Sequence, residues 1–325
     1  MTIARAMKGP SRSPSRLYVI LAREAHVAVI FRCGPAKWTQ IIKWNTDVDT
    51  FEAGQWFHGR IFDEVSDLSP DGTKLIYGVV KYSGKPYKES VGASWTAVSR
   101  PPFLTALALW RRFGRWDGGG LFLTNDHIWL NGFRFSGSGP QVDLEKGEVP
   151  DGMKITGNNN TPYEDRPLYF RRIESSGWKQ IQAGRHSQFL RPSIIEVETS
   201  KLSFSRPVAI AKSGDESIRS NTPIPECATY ERETRQSSSV LVQKIGNPGF
   251  TIPTYAIRKI DGTTVPINGV TWADWDYEGR LVFAREGKLF AMPHGGDPDR
   301  AAVELADFNT NTFTDIEAPE WATKW

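Results

Sequence analysis

With 325 residues, 39% of them hydrophobic and 12% aromatic, the chain has enough apolar material for one large core or two modest ones, and it lacks the depleted composition of a disordered segment. Forty basic and 37 acidic residues leave a net charge of +3, too balanced for binding driven chiefly by phosphate neutralisation. Two cysteines, Cys33 and Cys227, exclude a disulfide-held secreted scaffold and point to a reducing compartment.

The chain opens with a basic, Ser/Pro-rich stretch carrying Arg5, Lys8 and Arg12, so residues 1–15 read as a flexible tail and 16–325 as the folded domain. The apolar run Leu17–Ala22 is interrupted by Arg23 and Glu24, too soon for a signal core, and no stretch approaches a membrane span. The expectation is a cytoplasmic protein with no membrane partner. Short β-rich runs then dominate: Leu17–Ala22, Val27–Phe31, Leu75–Val80, Leu168–Arg172, Val240–Gln243 and Leu281–Ala284 all read as strands. Phe103–Trp110 is apolar enough for a helical turn, but Pro101-Pro102 and Gly114 confine it, so it too reads as a strand. Gly132–Tyr163 and Ser213–Pro225, rich in Gly, Asn, Ser and Asp, read as long loops or insertions.

Self-similarity decides the fold class. Phe62–Tyr77 and Val270–Phe283 share a pattern of strand, turn and apolar strand, with Asp71-Gly72 and Glu278-Gly279 in the same place. Glycine there supplies the positive φ of a tight hairpin. A looser third copy runs through Leu104–Trp110, Gly118–Thr124 and His127–Asn131. Trp44–Glu52 is echoed by Phe308–Thr314, and both read as outer hairpins. A four-stranded unit of this kind predicts an all-β chain forming a single β-propeller of five to six blades with irregular loop insertions. The stretch Leu68-Ser-Pro-Asp-Gly-Thr-Lys-Leu-Ile-Tyr77 resembles the repeat core of WD40-like, TolB-type propellers, well over residues 58–82 and partly over 268–293. The overall pattern is also similar to bacterial propellers that accompany multi-protein systems. The resemblance implies architecture, not a role.

Chemistry-bearing motifs are absent. The sequence has no Walker loop, no Rossmann fingerprint after a strand, no His-Glu-x-x-His and no Gly-x-Ser-x-Gly. Gly118-Gly-Gly120 feeds a strand, not a helix, and reads as a turn or bulge. His26, His58, His127, His186 and His294 show no metal-ligand spacing and read as turn or surface residues. Asp274 and Asp276 read as bonding across blades, and both cysteines as ordinary thiols. No catalytic residue, cofactor or metal ligand is therefore assigned.

One segment concentrates binding chemistry: Trp110, Arg111, Arg112, Phe113, Arg115 and Trp116, on what should be a turn. Trp and Arg are enriched at interface hot spots, and Arg can fork onto carboxylates or stack on rings. The expected function is a non-catalytic scaffold, adaptor or sensor subunit binding a partner protein through these six residues. The alternatives are a propeller hydrolase or lyase with a channel-mouth site, and a binder of single-stranded nucleic acid. Trp321 and Trp325 read as sealing the last blade against the N-terminal strand, or as a docking tail.

Overall fold

The computed structural model describes residues 13–34, 37–81, 94–112, 118–131, 135–136, 139–140, 144–146, 149–157, 165–185, 225–246, 251–292, 298 and 300–325. The first blade is an antiparallel meander of β1 (Arg16–Leu21), β2 (Val27–Cys33), β3 (Trp38–Asn45) and β4 (Thr50–His58). The second follows with β5 (Arg60–Leu68), β6 (Leu75–Val80), β7 (Ser94–Ser99) and β8 (Ala106–Arg112). A third, smaller blade begins with β9 (Gly120–Thr124) and β10 (His127–Leu130). A short pair, β11 (Phe135–Ser136) and β12 (Gly139–Pro140), comes next. The strand β13 (Leu144–Lys146) then returns to the outer edge of β8, and β14 (Lys154–Gly157) completes the third blade parallel to β10. After helix α1 (Asp165–Ser175), the fourth blade holds β15 (Lys179–Gln182), β16 (Ala228–Thr234), β17 (Ser237–Ile245), β18 (Thr254–Arg258) and β19 (Thr264–Ile267). The fifth is β20 (Val270–Trp275), β21 (Leu281–Arg285), β22 (Lys288–Met292) and β23 (Val303–Asp307).

These five sheets stand in a ring: the chain is an all-β, five-bladed propeller. Blades packed on both faces need strands apolar on both faces, which is why β1, β2, β6 and β21 read as continuous runs without alternation. The first and last blades are each built from one end of the chain, so the ring closes without a shared sheet. Closure is polar: Thr271 Oγ1 donates to the Leu17 carbonyl at 2.8 Å, and Arg280 donates to Asp49 at 2.7 Å and to the Thr46 carbonyl at 3.1 Å. The stretch after β23 then straps this seam. Arg32 donates to the carbonyls of Phe308 and Asn309, Gln55 donates to that of Ile316, and Arg100 on the second blade donates to that of Lys324.

Helix α1 lies on the ring axis, because it and its flanks touch every blade. Arg172 bonds Tyr18 on β1 and carbonyls on β5, and the helix packs on β9. Tyr169 accepts from Gln243 on β17, and Trp178 just beyond the helix donates to Asp274 on β20. The strand expected at Leu168–Arg172 is thus a helix. Leu168, Tyr169, Arg172 and Ile173 recur at helical spacing and all are buried. Pro167 sits in the first turn, where its missing N–H removes no helical bond. A five-residue window matched both periods, and the arginine within it was the clue.

Three other expectations change. The looser third repeat straddles two blades, since β8 closes the second and β9 opens the third. Phe308–Thr314 forms no hairpin, and instead lays Phe308 and Phe313 against Phe51, Trp38 and Trp56 of the first blade. The segment Gly132–Tyr163 contributes β13 and β14 to two blades instead of being a loop throughout. Trp321 stays 54% exposed with its ring edge-on to Phe103, and Trp325 packs on the cluster around Ile76 and Val98. The tail therefore covers the second blade and not the N-terminal strand. By contrast, Gly72 and Gly279 both adopt φ +73°, so the two matched turns are equivalent as read.

The tightest backbone approach is at Gly119, with φ +73°, where a Cβ would lie 2.0 Å from the Val65 carbonyl oxygen of β5. Gly119→Ala is expected to cost about 3 kcal/mol or more in urea unfolding, combining left-handed strain with a backbone clash. Gly152→Ala, at φ +89° with nothing within 4 Å, should cost about 1–2 kcal/mol, the strain alone. Equal losses at the two positions would show that the axis relaxes around the added methyl.

Candidate functional site

The site is built by an irregularity in β5. Phe62 pairs with Gly78 and Asp67 with Ile76, so five steps along β5 face only two along β6. The surplus residues bulge toward the axis, and such bulges re-aim side chains. Ser66 Oγ closes the bulge onto the Phe62 carbonyl at 2.7 Å. Arg172 donates to the freed carbonyls of Asp63 and Ser66 at 2.5 and 2.7 Å, bonds the Tyr18 hydroxyl, and lies over the Tyr18 and Tyr169 rings at 5.1 and 5.2 Å. The bulge thereby sends the adjacent carboxyls Asp63 and Glu64 to one place.

That place is a cavity of about 410 Å³ at one mouth of the axis, lined by Arg16, Trp38, Arg60, Asp63, Glu64 and Ile252 among others. Arg16 lies 2.6 Å from Asp63 Oδ2, and Arg60 3.5 Å from Glu64 Oε1. The two carboxyls are close enough that the Asp63 charge opposes ionisation of Glu64. Glu64 Oε2 is buried without a hydrogen-bond partner, whereas Asp63 Oδ2 has the Arg16 guanidinium against it. Burial opposes ionisation of Asp63, but Arg16, the bond from Glu64 and Arg172 hold its pKa below the usual value. Burial, then the neighbouring Asp63 charge and their hydrogen bond, push Glu64 up to about 8. Burial, with Asp63 nearby, likewise raises the Cys33 thiol to about 11, so it is not an activated nucleophile.

A second cavity of about 300 Å³ opens at the other mouth, past Arg23, Trp178, Arg232 and Asp274. Tyr18 and Tyr169 line both cavities and form the partition between them. Here the acids are occupied. Asp67 accepts from Arg23 at 3.3 Å and from the Phe122 amide at 2.8 Å, and Asp274 pairs with Arg232. Asp276 accepts from Arg280 at 2.7 Å, the arginine that also reaches Asp49. Burial raises the pKa of Asp67, Asp274 and Asp276 against the pull of these arginines.

The six residues expected to bind a partner are not gathered on one exposed turn. Trp110 is 2% exposed, within the core cluster of Ile76, Val98 and Phe122 on β8, where it faces Leu144 in the register. Arg111 follows it on the strand and is exposed; Arg112 ends the strand; Phe113, Arg115 and Trp116 lie outside the described residues. Trp110 is buried because it clusters with Phe122, Ile128 and Ile155 of the third blade, a non-local packing that no local pattern announces. Sequence reasoning missed the Glu64, Arg16 and Arg60 group. Its available signal was Asp63-Glu64-Val65-Ser66-Asp67, a polar interruption inside a strand.

Among the histidines, His58 stacks on Trp38 at 4.6 Å and His127 Nε2 bonds Thr156 Oγ1 at 2.9 Å. His26, Asp47 and Glu278 meet where three hairpin turns converge, with donor atoms within 4.8 Å of one another, the one group of metal-ligand spacing among the described residues. His186 and His294 lie outside the described residues. No helix among the described residues is long and apolar enough to cross a membrane. No protein-family model matches the chain, and no curated protein matches it.

Arg172→Met is expected to cost about 3–5 kcal/mol in denaturant unfolding, since it strips the bulge carbonyls of their donor. Glu64 keeps its proton in the fold to about pH 8, against 4.5 for the ordinary group. The native state then binds more protons than the unfolded chain across that window, so stability falls as pH rises through it. Glu64→Gln should flatten that slope and be the more stable protein at pH 9, by on the order of 3 kcal/mol. Parallel stability curves for the two proteins would show that the fold does not raise the Glu64 pKa.

Proposed function

We propose that the chain is a non-catalytic propeller scaffold that holds a partner protein, with docking centred on the mouth formed by Arg16, Trp38, Arg60 and Glu64. One observation carries this reading: α1 closes the axis, and the four buried aspartates around it, Asp63, Asp67, Asp274 and Asp276, each bond an arginine. Acid–base catalysis needs a carboxyl free to exchange its proton with substrate, and paired acids do not offer one. A closed ring with a basic rim and the half-buried Trp38 at its mouth suits recognition instead. The Ser-Pro-Asp-Gly turn and its partner at Glu278-Gly279 support a WD40-like, TolB-type lineage. The two free cysteines fit a reducing, cytoplasmic setting, and the resemblance to bacterial propellers of multi-protein systems fits a subunit role. The near-balanced charge disfavours single-stranded nucleic acid.

The hydrolase or lyase reading keeps one specific support, the proton on Glu64 at about pH 8, where a general acid could work. Site-specific photo-crosslinking separates the two. A crosslinker at position 60 should trap a defined protein in cell extract at high salt, and Lys37→Glu with Arg60→Glu should cut recovery at least tenfold in a copy crosslinked elsewhere on the rim. Trapping only from position 111 would move the docking surface back to the outer edge of β8. Turnover of a small molecule that Glu64→Gln abolishes would replace the scaffold by the enzyme.

A further inference from the structure

We infer that the β5 mouth is a recognition pocket for a carboxylate joined to an apolar body. The inference deepens the scaffold reading by naming the chemistry that the mouth accepts.

The pocket has two unlike walls. Arg16 and Arg60 form one, with 38% and 47% of their side-chain surface still exposed despite their bonds to Asp63 and Glu64. The other holds Ile61, Ile245, Pro253 and Ile252, and Ile252 is 58% exposed, a large aliphatic side chain left in water at the rim of a concavity. A volume of about 410 Å³ is in the range that encloses a small ligand or one peptide residue. Guanidinium groups match a planar carboxylate in charge and geometry, and the aliphatic wall matches an apolar chain attached to it. A phosphate would leave that wall unused.

The local charge fixes the sign of the ligand. Arg16, Arg60 and Lys37 face the cavity against Asp63 alone while Glu64 is neutral, so the lining is net positive and an anion is favoured. Ionising Glu64 removes one unit of that surplus at the ligand's edge. The groups that face Glu64 are Arg16 and Tyr18 from β1, Cys33 from β2, Arg60 and Asp63 on its own strand, Tyr169 and Arg172 from α1, and Lys37 at the rim. Burial raises Tyr18 and takes Tyr169 to about 12, and Cys33 titrates near 11. None of those three changes charge between pH 6.5 and 9, whereas Glu64 does. Linkage then makes anion affinity fall as pH rises through about 8.

The shared chemistry has two sources, a free organic acid and the C-terminal residue of a partner. Calorimetric titration of the full chain with hexanoate, N-acetyl-leucine, N-acetyl-leucinamide and inorganic phosphate tests the pocket at pH 6.5 and 9. Both acids should saturate at pH 6.5, at least tenfold tighter than the amide or phosphate, and weaken by roughly five- to tenfold at pH 9. Glu64→Gln should bind the acids equally at both pH values, and Arg60→Ala should weaken them about tenfold at pH 6.5. Tighter binding of hexanoate assigns the free acid, and tighter binding of N-acetyl-leucine assigns a partner's C-terminus; either supports the pocket. Binding of the amide or phosphate as tight as that of the acids, absence of saturation by either acid, or a pH dependence surviving in Glu64→Gln would overturn it. These wild-type titrations need no variant to fold. If the acids fail while crosslinking from position 60 still traps a partner, the carboxylate pocket falls and the scaffold stands; acid binding with no trapped partner gives the reverse.

Discussion

The propeller depends on a buried cation at its centre. Arg172 is 3% exposed, on a helix surrounded by five sheets, where an unpaired guanidinium would be prohibitively costly. It is tolerated because what surrounds it is rich in electrons: two bulge carbonyls, a phenol oxygen, and the faces of Tyr18 and Tyr169. Each of those acceptors in turn needs Arg172. The carbonyls of Asp63 and Ser66 lost their ladder partners when β5 bulged, and a buried carbonyl without a donor costs about 1–3 kcal/mol. Bulge and helix therefore specify one another. Without the helix β5 would have unsatisfied backbone, and without the bulge the helix would hold an uncompensated charge.

The same logic repeats around the ring with smaller stakes. Arg23 on the first blade joins Asp67 and the Phe122 carbonyl of the second and third; Arg232 joins Asp274 between the fourth and fifth; Arg280 joins Asp276 and Asp49 between the fifth and first. Buried ion pairs of this kind add little net stability compared with apolar packing, because desolvation offsets the attraction. They do fix geometry, since a blade shifted by one residue would leave both charges stranded. In a ring whose first and last blades share no strand, this selectivity takes over the registering role that a shared sheet would have. The strap from Phe308 to Trp325 then adds apolar cover over the seam and the second blade.

How much of this was legible follows from range. The Asp71-Gly72 and Glu278-Gly279 turns were readable because a hairpin is a local event and glycine at positive φ has a local cause. A ring of five to six blades followed from such turns and from apolar runs, and the structure has five. Helix α1 was not readable, because Leu168–Arg172 is too short for either period to win and its packing partners lie in five sheets. Trp110 misled for a related reason. Composition marks Trp beside Arg as a hot spot, but its burial is decided by Phe122, Ile128 and Ile155 of the next blade. The carboxyl pair of the β5 mouth was written in the chain as Asp63-Glu64, yet alternation in a regular strand would send the two to opposite faces. Only the bulge brings them together.

Closing the axis also decides where function can reside. In an open ring, inward-facing acids from several blades converge on water and can gather a metal or a substrate. Here Arg172 and the four arginines that pair with the buried aspartates absorb that capacity, and the partition at Tyr18 and Tyr169 divides the axis into two shallow cavities. Among the described buried acids of the β5 mouth, Asp63 has Arg16 at 2.6 Å, whereas Glu64 has only Arg60, 3.5 Å away and also drawn over the Phe62 ring. Burial and the neighbouring Asp63 charge raise its pKa, and so distant an arginine does not offset them. A group left in this state at the floor of a basic pocket responds to whatever charge enters above it, whereas the paired aspartates do not. The mouth at β5 is thus the place on the axis where binding and protonation are coupled, and the cause lies in the bulge that Arg172 holds open.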